Sequence, residues 1–208
     1  MSLSSYKRQL FKIFLPALFS TFTVSHTVMA QNILSSYQAE ALEVNVFDVK
    51  LGKDIRLNTQ LLAPTVPTPW QTVVRPSNCT GRDDHFWSLM VPAMLQKGFA
   101  VVLLDSFSPR GFSSVCANKF QMWQEARVVD AVAVLKKLQS DSRIDASKIA
   151  LGGHSNGAVT AFLASFVESS KVVKTDALGF AAYFAVGAAC ASAHCATARI
   201  CAQWRCQC

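Results

Sequence analysis

A serine lies between two glycines in the sequence Gly-His-Ser-Asn-Gly, residues 153–157. The apolar segment before it, 148–152, is typical of a β-strand, and the alanine-rich segment after it, 158–163, is typical of a helix. A strand-to-helix turn of this kind is so tight that side chains at the two flanking positions would collide, and glycine avoids the collision. The pattern predicts a nucleophile elbow that presents the hydroxyl of Ser155 at the C-terminal edge of a sheet. A structural glycine-rich turn is the alternative interpretation.

The chemistry that this pattern indicates is covalent catalysis. A serine nucleophile attacks a carbonyl carbon, and negative charge then develops on the carbonyl oxygen. Backbone N–H groups at a helix N-terminus can stabilise this oxyanion. The N–H of Asn156, directly after the serine, is therefore predicted to be one donor. Gly153 and Gly157 are the elbow positions that must remain without side chains.

The first thirty residues have the pattern of a signal peptide. Lys7, Arg8 and Lys12 precede an apolar segment at 13–24, and small residues lead to Ala30, after which cleavage is predicted. The apolar segment is shorter than the ~20 residues that a membrane-spanning helix needs. Export to the periplasm or secretion is therefore the predicted localisation, and an uncleaved anchor is the alternative.

The charge of the chain gives no indication of a nucleic-acid partner. The formal net charge is +7, with 20 basic and 13 acidic residues, and the predicted signal peptide carries three of the basic ones. Residues 31–208 are therefore mildly basic, and they contain no basic run of the kind that binds nucleic acid. Their number allows one domain with a sizeable core.

Strand-like and helix-like segments alternate along the rest of the chain. Strands are predicted at 43–49, 55–62, 70–75, 99–104, 148–152 and 179–186, and helices at 83–96, 120–138 and directly after the elbow. Alternation of this kind favours right-handed crossovers between parallel strands. The predicted fold class is α/β, with a mostly parallel sheet and helices on both faces.

Three parts of the sequence resemble one family of enzymes. The segment 105–111 (Asp-Ser-Phe-Ser-Pro-Arg-Gly), the helix with Arg127 and Asp130, and the elbow are similar to the dienelactone hydrolase family, which has the α/β-hydrolase fold. The resemblance covers approximately residues 73–186. It implies hydrolysis of esters or lactones through a covalent acyl-enzyme, with Ser155 where dienelactone hydrolase itself uses cysteine.

The resemblance also implies a role for the segment after the third strand. Family members commonly carry a His-Gly-Cys-type segment there, whose backbone helps to form the oxyanion hole. The matching residues are 77–81 (Ser-Asn-Cys-Thr-Gly), so the N–H of Cys79 is implied as the second donor. Because Cys79 and Cys116 follow strands that are neighbours in this fold, a disulfide between them is predicted for an oxidising compartment. Two separate buried thiols are the alternative.

The acid and the base that a serine hydrolase needs after its nucleophile are not recognisable in this sequence. The later acidic residues are Glu168 and Asp176, both before the last predicted strand, and the later histidine is His194. His154 is interpreted as an elbow residue that points away from the serine. His85 is interpreted as a surface or cleft residue.

The end of the chain differs in composition from the rest. The predicted organisation is a signal peptide at 1–30, an incomplete α/β-hydrolase domain at 31–187 and an atypical tail rich in cysteine and alanine at 188–208. The five tail cysteines and His194 match no common zinc spacing, so no metal and no cofactor are predicted. A disulfide knot is one alternative. A truncated or frame-shifted end that replaces the family's last strands is the preferred interpretation.

Two classes of function follow from these observations. The first is an exported serine hydrolase that acts on small esters or lactones through an acyl-enzyme. The second is a catalytically inactive protein of the same fold that lacks the triad acid and histidine. The predicted partner is a small-molecule ester or lactone, with no nucleic acid and no membrane span after signal cleavage.

Overall fold

The central sheet of this protein has six strands, four of which run parallel to one another. The structure is a computed structural model, and it describes residues 37, 39–81, 85–118, 121–166 and 179–188. The predicted signal peptide and all but the first residue of the predicted tail lie outside these residues. Glu168, Asp176 and His194 lie outside them as well.

The described residues form strands and helices in alternation. In chain order they are β1 (Ala39–Leu42), β2 (Asn45–Asp48), β3 (Lys53–Arg56), β4 (Asn58–Leu62), β5 (Trp70–Pro76), α1 (His85–Gln96), β6 (Ala100–Asp105), a short 3-10 helix (Ser108–Arg110), α2 (Gln124–Gln139), β7 (Ile144–His154), α3 (Asn156–Phe166) and β8 (Ala182–Val186).

The strands pair in the order β1-β4-β6-β5-β7-β8. The last four strands of this order are parallel, while β4 is antiparallel to β6 and β1 is antiparallel to β4. The strands β2 and β3 form a separate antiparallel pair. The mostly parallel sheet predicted from the sequence is therefore confirmed.

Helices cover both faces of the sheet. Val74 and Val102 are register partners, and they pack in the main core with side chains from α2 and α3. Val73 and Arg75 belong to the opposite face, because successive side chains of a strand alternate in direction. The guanidinium of Arg75 lies 5.4 Å from the ring centre of Trp87 in α1, so α1 covers this second face. The predicted layers are confirmed.

Several boundaries differ from the sequence-based prediction: β7 begins earlier, at Ile144, and β8 begins later, at Ala182. The strand predicted at 55–62 is broken, because β3 and β4 belong to different sheets. Leu57, between them, is buried and donates its N–H to the carbonyl of Val44 at 2.8 Å. This bond fixes the point at which the chain passes from one sheet to the other. The helix predicted at 120–138 begins later, because Trp123 has an extended backbone with a ψ of 138°.

A buried ion-pair network connects the β2–β3 pair to α2. Nε of Arg110 donates to Asp48 at 2.5 Å, and the two Nη groups donate to the carboxylate of Asp130 at 2.8 and 2.9 Å. Asp130 is fully buried. Burial raises the pKa of Asp130 above its usual value, although the hydrogen bonds from Arg110 oppose this shift. The ionised form of Asp130 is therefore stabilised by its pairing with Arg110.

Replacing Arg110 by alanine is expected to destabilise the protein by about 3–5 kcal/mol, because Asp130 is left as an unpaired buried charge. The pKa of Asp130 in the folded state then rises further above its unfolded value, so the folded state binds a proton more readily than the unfolded state. The loss relative to the parent protein is therefore expected to shrink as the pH falls towards the pKa that the carboxyl has in the unfolded chain. Urea unfolding at several pH values measures this.

The control for this prediction is Arg143→Ala. Arg143 pairs with Glu40 and Asp141, but its side chain is 39% exposed, so its removal is expected to cost less than about 1 kcal/mol. Equal losses for the two variants, or a loss at Arg110 that does not change with pH, would contradict the prediction.

Candidate active site

Ser155 occupies the turn between β7 and α3, and its backbone has a φ of 54°. This left-handed conformation is uncommon for residues other than glycine, and Ser155 is the one non-glycine that adopts it in the described ranges. Its N–H donates to the carbonyl of Val186 at 2.9 Å, and its carbonyl accepts from the N–H of Ala158 at 3.0 Å. These bonds hold a strained residue at the end of a strand, which is the geometry of an elbow.

The two glycines that flank Ser155 have no room for a side chain. A Cβ atom added to Gly153 would lie 2.0 Å from the carbonyl oxygen of Gly157. One added to Gly157 would lie 2.5 Å from the carbonyl oxygen of Pro76. The first turn of α3 is therefore in direct backbone contact with the ends of β7 and β5.

The elbow lies where connections leave the sheet towards opposite faces. The neighbouring strands β5 and β7 are followed by α1 on one face and by α3 on the other. In open α/β sheets, ligands bind at the carboxyl ends of the strands at such a switch point. Ser155 and the turn at 77–81 both lie at this edge.

The turn at 77–81 is held by its own side chains and by the segment after β6. The Oδ1 atom of Asn78 accepts from the N–H of Thr80 at 2.8 Å and from the Thr80 hydroxyl at 2.6 Å. The carbonyl of Cys79 accepts from the N–H of Val115 at 2.8 Å. The position of the Cys79 backbone is therefore fixed from both sides.

Cys79 and Cys116 form a disulfide, with their Cα atoms 4.8 Å apart. Beside it, a small apolar cluster contains Phe107 and Met122, with Phe112 packed against it. The disulfide and this cluster tie the turn after β5 to the loop after β6. The two cysteines thus meet beside the edge of the sheet that carries Ser155.

The structure brings the two predicted oxyanion donors onto adjacent segments. Asn156 is the first residue of α3, and the first N–H groups of a helix have no partner within the helix. Cys79 lies in the turn after β5. The two segments touch, because a Cβ atom at Gly157 would also lie 3.0 Å from the carbonyl oxygen of Ser77. The donor roles of Asn156 and Cys79 stay predictions.

Arg127 belongs to the site, although the sequence predicted no role for it. It is fully buried, and it donates to the carbonyl and the side-chain oxygen of Asn156 and to the carbonyl of Ser77. A signal was present in the sequence, because Arg127 shares a helical spacing with buried Ala131, Val134 and Leu138. A charged residue on the buried face of a helix indicates a specific partner.

The described histidines do not identify the general base. The ring of His154 stacks on Phe86 of α1, with ring centres 4.5 Å apart and an angle of 18° between the planes. His154 thus lies towards the α1 face of the sheet. His85 is the first residue of α1. The base for Ser155 is therefore not assigned within the described part of the chain.

An apolar groove lies apart from the elbow. It has a volume of about 260 Å³ and is lined by Phe47, Leu51, Phe112 and Trp123, among others, between the β2–β3 pair and the start of α2. Neither Ser155 nor the turn at 77–81 lines it. The groove is therefore distinct from the candidate active site.

Within the described ranges, no group of three or more His, Cys, Asp or Glu side chains is arranged to hold a metal ion. None of the helices in those ranges is long and apolar enough to cross a membrane.

Comparison with solved structures finds hydrolases and esterases. Dienelactone hydrolase from Anabaena variabilis is 18% identical with a TM-score of 0.48, over 62% of this chain and 56% of that one. The thermostable carboxylesterase EstE1 from a metagenomic library is 18% identical with a TM-score of 0.47, over 72% and 49%. Est1E from Butyrivibrio proteoclasticus is 18% identical with a TM-score of 0.46, over 64% and 48%.

The likeness to these proteins is one of fold. This chain spans about half the length of the structures that it matches. No model of a protein family matches the sequence, and no curated protein is similar to it. The strand order and the turn after β7 agree with the α/β-hydrolase fold predicted from the sequence.

Gly153→Ala is expected to destabilise the protein by about 1–3 kcal/mol, the usual range for overpacking, or more. The added methyl group would meet the backbone of Gly157, which no change of side-chain rotamer can relieve. Chemical unfolding of the disulfide-bonded protein measures the loss.

The matched variant is Gly152→Ala on the neighbouring residue. Its methyl group would meet the ring of Phe184, which is a side chain and can be shortened. Adding Phe184→Ala is therefore expected to recover part of the loss at Gly152 and none of the loss at Gly153. Recovery of stability at both positions would show that backbone contact is not what excludes a side chain at Gly153.

Proposed function

We propose that this chain is an exported serine hydrolase that cleaves small esters or lactones through an acyl-enzyme on Ser155. The observation that supports this most is the positive φ of Ser155 between two glycines that backbone contacts leave without space. A strained, over-determined residue of this kind at a sheet's switch point is typical of a nucleophile elbow.

In the proposed reaction, the Ser155 hydroxyl oxygen attacks the carbonyl carbon of the substrate, and its proton passes to a general base. The tetrahedral oxyanion accepts hydrogen bonds from the backbone N–H groups of Asn156 and Cys79. The bond to the alcohol oxygen then breaks, and this oxygen takes up the proton. Water attacks the acyl-enzyme in the same way, which releases the acid and restores the serine.

Export is supported by two independent features. The N-terminal thirty residues have the pattern of a signal peptide. The Cys79–Cys116 disulfide suits an oxidising compartment such as the periplasm or the extracellular space.

A fluorophosphonate probe is expected to label Ser155 covalently, because such probes react with activated serine nucleophiles. Peptide mass spectrometry of the labelled full chain locates the adduct. Ser155→Ala is expected to abolish both labelling and the hydrolysis of p-nitrophenyl acetate and of a small lactone. Ser165→Ala, in the same helix, is the control and is expected to change neither. Labelling that persists in Ser155→Ala would exclude the proposed nucleophile.

The same experiment separates the two classes of function. A folded protein that is not labelled and hydrolyses neither substrate would overturn the proposal and favour the inactive protein of the same fold. The mass of the mature protein tests export, since cleavage after Ala30 is expected to leave Gln31 as the first residue. An uncleaved protein with free thiols at Cys79 and Cys116 would contradict export.

A further inference from the structure

Arg127 connects two backbone segments that are distant in sequence. From its place in α2, one Nη group donates to the carbonyl of Asn156 at 3.0 Å and to the Asn156 side chain, at the start of α3. The other Nη group donates to the carbonyl of Ser77, where the turn after β5 begins. These segments carry the two backbone donors of the proposed oxyanion hole. Arg127 is therefore bonded to both halves of that hole.

The burial of Arg127 is costly for the folded state. The side chain is fully buried, and burial lowers its pKa to about 9. The carboxylate one turn along the helix, Asp130, forms its hydrogen bonds of 2.8 and 2.9 Å with Arg110. The Arg127 guanidinium instead lies 4.8 Å from the ring centre of Phe107 and bonds to carbonyl oxygens.

A buried cation bonded to neutral acceptors contributes less to stability than a well-packed apolar side chain would. Its contacts with Asn156 and Ser77 do, however, fix the position of the backbone at both residues. The carbonyls of Ser77 and Asn156 belong to the peptide units next to those that carry the N–H groups of Cys79 and Asn156. Bonds from one guanidinium to both carbonyls therefore fix the two segments relative to each other.

We propose that Arg127 is a positioning residue that holds the turn after β5 and the start of α3 in the relative position that the oxyanion hole needs. The inference rests on the proposed function at Ser155. Arg127 acts through Ser77 and Asn156, and it does not contact the substrate. Backbone contact at Gly157 brings the two segments together, and Arg127 fixes their orientation.

Displacing the oxyanion donors is expected to affect kcat and KM differently. They stabilise the transition state more than the bound substrate, so their displacement lowers kcat more than it raises KM. A displacement of about 1 Å at a reacting centre can cost ~10²-fold in rate. Arg127→Met, which keeps most of the volume and removes the donors, is therefore expected to lower kcat for p-nitrophenyl acetate by ~10²-fold with KM changed little.

Two further variants separate positioning from folding. Arg127→Lys retains the charge but lacks the planar fork that reaches both carbonyls, so kcat is expected to stay low. Arg127→Ala leaves space for a guanidinium ion, and added guanidinium at concentrations that do not unfold the protein is expected to restore part of kcat. Arg143→Met, at an exposed arginine, is the control and is expected to leave kcat unchanged. A thermal melt of each variant measures its folded fraction.

The outcomes distinguish this inference from the proposed function. If the parent protein neither reacts with the fluorophosphonate nor turns over ester, the proposed function fails and the inference fails with it. If the parent protein is active and folded Arg127→Met, Arg127→Lys and Arg127→Ala keep its kcat, only the inference fails. If Arg127→Met and Arg127→Ala do not fold, an unchanged kcat in folded Arg127→Lys overturns the inference, and a selective loss of kcat there supports it.

Discussion

The candidate site depends on one contact between backbones. The first turn of α3 lies against the ends of β5 and β7 so closely that Gly153 and Gly157 cannot carry side chains. Packed side chains can adjust when a neighbour changes, but a backbone fixed by sheet and helix hydrogen bonds has few alternative positions. This contact therefore sets Ser155, the helix N-terminus and the turn at 77–81 in one arrangement. The left-handed backbone of Ser155 is the local strain that the arrangement requires.

Two buried arginines of this protein differ in what balances their charge. Arg110 is paired with the carboxylates of Asp48 and Asp130, so it contributes to the stability of the fold by compensating buried acids. Arg127 donates to carbonyl groups at the candidate site, and burial lowers its pKa to about 9. Departures from the most stable arrangement tend to concentrate at functional sites. The contrast between the two arginines therefore supports the positioning role proposed for Arg127.

The elbow and the parallel strands could be predicted because their signals are local. An apolar strand, a serine between glycines and an alanine-rich segment are contiguous in sequence, and β6 is a continuous apolar run. The break at Leu57 could not be predicted, since a period of two does not indicate which sheet a strand joins. The contact of Arg127 with Ser77 and Asn156 joins three remote segments, so its partners could not be identified either. Its position on the buried face of α2 was the available signal.

The site concentrates positive potential where the proposed reaction develops negative charge. The N-terminus of α3 contributes a partial positive charge, and the guanidinium of Arg127 lies against its first residue. Because both are fixed before the reaction, no reorganisation is needed when the oxyanion forms. An arginine suits this place better than a lysine, since its planar group bonds two carbonyls at once and keeps its charge when buried. In the proposed reaction, the same buried charge that lowers the stability of the folded protein therefore favours the transition state.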